Sequence, residues 1–163
     1  MGYVLQAVVA REETLRAAAR GLPAARTVPL RQGLALLPVT DEFFDAVANG
    51  PGGSLPGPWK LPGGFDRTLA RWSVPGPVAY VEAEYFGGTG GQSAAVWDAG
   101  ALALGPLRLA EGEPFPAGGG PVSRALRRLG ASAEGAFDEF EAVGLGRHRH
   151  TGDWLSPVDG PRP

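Results

Sequence analysis

The stretch from Pro77 to Gly100, PVAYVEAEYFGGTGGQSAAVWDAG, limits the possible folds of this chain more than any other. Val78, Tyr80, Glu82, Glu84 and Phe86 alternate with Ala79, Val81, Ala83 and Tyr85, so an extended backbone projects both carboxylates from one face, two residues apart. An unpaired buried carboxylate costs several kcal/mol, on the order of a whole domain's margin of stability, so two glutamates in an otherwise apolar strand need a reason. The GGTGG run that follows reads as a hairpin loop. QSAAVWD, a turn at Ala99-Gly100 and ALALGPLRL then complete a meander of three antiparallel strands. A phosphate-binding loop would need a helix and a Walker lysine after the glycines, and neither follows.

Elsewhere the pattern alternates between strands and short helices. Tyr3 to Ala10 reads as a strand, Glu12 to Arg20 as an alanine-rich helix, and Val28 to Val39 as a second strand with GLALLPV its apolar part. Thr40 suits an N-cap ahead of Asp41 and Glu42, and Asp66 reads as the cap of a third helix over RTLARWS. PVSRALRRLG has proline where a helix starts and glycine where one stops. These elements predict an α+β fold: an antiparallel sheet of about five strands, with three to four helices packed mainly on one face. Residues 1–155 form the single domain of this reading, and 156–163 a disordered C-terminal tail.

Composition narrows the class. The 163 residues carry no cysteine, so disulfides, thiolate metal sites and cysteine nucleophiles are excluded, and a cytoplasmic location is expected. MGYVLQAVVAREE has neither the basic lead-in of a signal peptide nor the length of a membrane span. A net charge of −2 supplies no basic footprint for nucleic acid. Twenty-six glycines and sixteen prolines are concentrated in loops such as GPGGSLPGPWKLPGG, whose length marks it as either functional or mobile.

Three groups of residues are candidates for function. Glu82 and Glu84 form either an acidic patch for the arginines of a partner or internal ion pairs with Arg147 or Arg149. Trp59 and Phe115, each beside proline on a stiff loop, suit interface anchors. His148, His150 and Asp153 in RHRHTGDW could hold one zinc ion; a small metal-dependent hydrolase with Glu82 or Glu84 as base is the alternative they offer. A small-molecule pocket beside the Gly50 to Gly64 loop is a third possibility.

The runs YVEAEYFGGTGGQSAAVW and GLGRHRHTGDW resemble small actinobacterial proteins associated with the immunity proteins of polymorphic toxin systems. That resemblance implies a cytosolic protein that binds and blocks a cognate toxin; the residues themselves lead to the expectation of a non-enzymatic binding protein with a protein partner, no cofactor, and no role at a membrane or on nucleic acid. The resemblance assigns no contact residues. The acidic strand and the loop aromatics are compatible with such a role.

Overall fold

Tyr3 to Ala10 is apolar at both of its alternating positions except for Gln6, and a strand of that kind is stable where both of its faces are covered. The computed structural model, which describes residues 2–48, 61, 63–87 and 89–155, places it accordingly. The strands are β1 (Gly2–Arg11), β2 (Val28–Pro29), β3 (Leu34–Pro38), β4 (Val78–Phe86), β5 (Thr89–Asp98) and β6 (Ala101–Leu109). Among the described residues they form one sheet of order β2-β3-β1-β4-β5-β6, and every neighbouring pair is antiparallel.

The α+β reading holds, with two differences of arrangement. The Val28 to Val39 run is two strands rather than one, because Leu30 N donates to Leu34 O at 2.9 Å across a turn in which Gln32 and Gly33 take positive φ. The sheet therefore has six strands. The helices also lie on both faces. Val8, Ala10, Leu37, Tyr80 and Trp97 face a core that includes Leu15 of α1 (Glu12–Ala19), Phe43 of α2 (Asp41–Val47), and Phe65 and Leu69 of α3 (Phe65–Trp72). The alternate residues Ala7, Val9, Leu36, Val81 and Val96 face Val122, Ala125 and Leu126 of α4 (Pro121–Arg128), with Phe140 of α5 (Glu139–Ala142) at its margin. Burying two apolar faces is what requires the second helical layer.

The local signals hold at some helix ends and fail at others. Thr40 Oγ1 accepts from Phe43 N at 3.2 Å, as its position ahead of α2 predicts. Asp66 is not the N-cap: α3 begins at Phe65, two residues earlier than expected, after Gly64, and Asp66 is buried in its first turn. The hairpin connection expected at GGTGG is shorter than the run: Gly87 lies in the turn, while β5 already starts at Thr89 and its register with β4 runs unbroken from Phe86↔Thr89 to Val78↔Trp97. Both sheet edges are blunted. β2 is two residues long and carries Pro29, while β6 carries Pro106 at an irregularity where pairing passes from Ala94↔Leu107 to Val96↔Leu104. Among the described residues, no helix is long and apolar enough to cross a membrane. Residues 156–163, assigned above to a tail, lie outside the described residues.

α4 has a glycine, Gly120, at its N-cap and so has no local side chain to receive its first amides. The acceptor comes from the sheet: Gln92 Oε1, buried at 7% exposure, accepts from Val122 N at 3.0 Å. Only glycine permits this approach, because a Cβ on residue 120 would sit 2.8 Å from that oxygen. Gln92→Ala is therefore expected to lower unfolding stability by about 1–2 kcal/mol, the cost of a lost cap and an unsatisfied buried amide. Urea denaturation followed by circular dichroism measures it, and a stability within experimental error of the parent protein would refute the remote cap.

Candidate functional site

The face of the sheet covered by α1, α2 and α3 changes chemistry part-way along its strands. Val8, Tyr80 and Ala95 make one apolar row straight across β1, β4 and β5. One step further along the same face, Gln6, Glu82, Ser93 and Arg108 make a polar row across four strands. Val4, Glu84 and Gly91 make the next. These rows line a cleft of about 370 Å³, with Phe86 on its wall. Glu82 is half-buried, Glu84 and Arg108 are exposed, and Phe86 is 53% exposed.

The depression opposite Glu84 is a consequence of glycine. A Cβ at Gly91 would lie 2.4 Å from Leu109 O, and one at Gly90 would lie 1.8 Å from Glu84 O. No larger residue fits either position, so Gly90 and Gly91 of the GGTGG run allow close strand approach.

Tyr80 joins the core to the cleft. Its ring is fully buried, while its hydroxyl donates to Glu82 Oε2 at 2.7 Å. Burial, first of all, and then the neighbouring Glu82 charge hold this hydroxyl well above the ordinary tyrosine range. Burial does the same at Tyr3, whose hydroxyl donates to Leu145 O at 2.8 Å, and at the half-buried Tyr85.

The basic C-terminal segment packs elsewhere. Arg147 Nη2 donates to Pro29 O at 2.8 Å, and the guanidinium lies 5.1 Å from the ring centroid of Trp154. His148 meets the same ring edge-on at 4.6 Å. Val4 N donates to Arg149 O at 2.7 Å, and Thr151 Oγ1 receives Gln6 N at 3.1 Å, so this segment adds a short parallel bridge to the part of β1 that β3 leaves free. None of the described ion pairs joins it to Glu82 or Glu84, so the expected pairing with Arg147 or Arg149 is replaced by a clamp around Trp154.

The candidate zinc ligands do not converge. His150 Nδ1 lies 3.3 Å from Asp153 Oδ2, His148 is committed to Trp154, and among the described residues no three His, Asp or Glu side chains are grouped to hold a metal ion. Phe115 stands 47% exposed on its loop, and Trp59 lies outside the described residues, as does most of the Gly50 to Gly64 loop. Gln6, Ser93 and Arg108 were not singled out from the sequence; each becomes visible once the strand register is known. No family model matches the chain, and comparison with curated proteins and with solved structures finds no match either.

The raised tyrosines set an alkaline limit. A phenol whose folded pKa lies above its unfolded value of 10.0 leaves stability unchanged below that pH and removes it as pH rises further. Buried Tyr80 alone accounts for about 1.4 kcal/mol per pH unit above 10. Absorbance at 295 nm should therefore show phenolate appearing together with loss of the circular dichroism signal. Titration of all three tyrosines near pH 10 with the fold intact would contradict the buried geometry.

Proposed function

We propose that this chain is a non-enzymatic cytoplasmic binding protein that takes a basic protein partner on the acidic cleft, in the manner of an immunity protein that neutralises a toxin. The observation that carries this reading is the switch from apolar to polar side chains along a single sheet face. A face that only needed covering would continue Val8, Tyr80 and Ala95 with further apolar residues, whereas this one presents Gln6, Glu82 and Glu84 around an opening. Carboxylates displayed on a rigid sheet steer a basic partner during encounter and fix its register on arrival. Phe86 beside them offers apolar area next to the charges. The absence of cysteine in the chain fits a reducing compartment and supports the cytoplasmic part of this reading.

Charge reversal tests the reading. Glu82→Lys with Glu84→Lys places two like charges against a basic ligand and should weaken binding of an arginine–glycine repeat peptide by at least tenfold, or about 1.4 kcal/mol. The loss should shrink as salt rises. Calorimetry measures the affinity and circular dichroism verifies the fold. Equal affinity in a folded double variant would remove the cleft from the interface.

A further inference from the structure

Two aromatic rings stand in solvent on the loops that bracket α4. Phe115 is 47% exposed on the loop entering the helix, and Phe137 is 81% exposed on the loop leaving it. Both loops are fastened to the same helix. The edge of the Phe115 ring lies against Gly120, where a Cβ would come within 3.0 Å of its Cζ, and Pro114 and Pro116 stiffen the chain on either side. Phe137 N donates to Glu141 Oε1 at 3.0 Å while Asp138 Oδ1 accepts from Glu141 N at 3.0 Å, a reciprocal cap that sets the backbone under the ring. Arg127 of α4 links the two loops: Nη2 donates to Gly118 O, and Nε lies 3.8 Å from Glu139 Oε2.

Within the two loops the charge has one sign, whereas α4 between them carries the exposed Arg124, Arg127 and Arg128. Residues 110–119 and 131–141 contain Glu111, Glu113, Glu134, Asp138, Glu139 and Glu141 and no lysine or arginine. Glu111 also lines the cleft, so the loop surface continues from it. Exposed ring faces in a negative field favour a flat, weakly hydrated cation, which is a guanidinium and not an ammonium.

We infer that Phe115 and Phe137 form a second contact area of the partner-binding surface, one that takes arginine side chains of the basic partner by stacking. This rests on the reading of the cleft as a binding site for such a partner. It adds the chemistry of recognition, arginine in preference to lysine, and a place for it on the opposite helical layer.

The test uses the full chain, the arginine–glycine peptide and its lysine counterpart. Phe115→Leu with Phe137→Leu keeps apolar bulk and removes the π faces. Each ring is expected to contribute about threefold, so the double variant should bind the arginine peptide about tenfold more weakly and the lysine peptide nearly as well as before. Nuclear magnetic resonance should show the arginine peptide shifting the amides of Glu113, Phe115 and Ala117 and those of residues 136–138. If the double leucine variant binds both peptides as the parent does while the Glu82/Glu84 reversal still weakens binding, the stacking inference is wrong and the cleft reading stands. Equal losses for both peptides would also overturn the preference for arginine. Should neither set of substitutions change binding, both readings fall.

Discussion

The register between β1, β4 and β5 is the constraint on which the rest of the molecule depends. Because side chains alternate with a period of two, Val8↔Tyr80↔Ala95 and Val9↔Ala79↔Val96 assign the buried apolar residues of three strands to one of two cores. A slip of one residue between β1 and β4 would move Gln6 toward α4 and carry Leu5 to the cleft. The same pairing that fills both cores therefore also aligns Gln6, Glu82, Ser93 and Arg108 in one row. Site and fold share a single geometric cause.

Around this sheet, several local defects are repaired by distant side chains. Gly120 leaves α4 without a cap and Gln92 supplies it from β5. β3 pairs with β1 only from Ala7 onward, and Thr151, Arg149 and their neighbours occupy the length of β1 that remains. Trp154 is buried at 5% exposure, clasped by Arg147 and His148 of its own segment. The contacts to β1 join residues more than a hundred positions apart, and Gln92 lies 30 positions from Val122, so the C-terminal segment and the cap of α4 become stable only after the central strands have paired.

That dependence explains what was legible in the sequence. The meander, α1, the Thr40 cap of α2 and the limits of α4 follow from nearest neighbours: alternation, a threonine before two acids, a proline at the start and a glycine at the end. The turn at Gln32-Gly33 was hidden because the residues on both sides of it continue the apolar run. Gly90 and Gly91 read as part of the hairpin loop because glycine's signal is the same whether it relieves a turn, as at Gly87, or lets two strands approach. Glu82 and Glu84 were visible as anomalies in a strand, but their neighbours across the row lie 76 positions before Glu82 (Gln6) and 11 and 26 positions after it (Ser93 and Arg108), and single-chain periodicity says nothing about register. Alternating arginine and histidine beside an acidic strand suggested ion pairs, yet desolvating such pairs is costly, and stacking on Trp154 leaves the Arg147 charge partly in water.

The boundary between core and cleft rests on Tyr80. Phenylalanine there would satisfy the apolar core and leave Glu82 without this donor, whereas a shorter hydroxyl-bearing side chain would give up the ring's buried area. Tyrosine meets both needs because consecutive same-face positions on a strand are about 7 Å apart, a step its side chain can span. Its burial keeps the hydroxyl protonated, so it donates to Glu82 and never competes with it as a second anion. The carboxylate is thereby oriented by a group that cannot leave the core, and its position is as rigid as the packing around Val8, Phe43 and Phe65. On the proposed reading of this face, a carboxylate held as Glu82 is loses little side-chain freedom when a cation arrives, so less of the attraction is spent on ordering it.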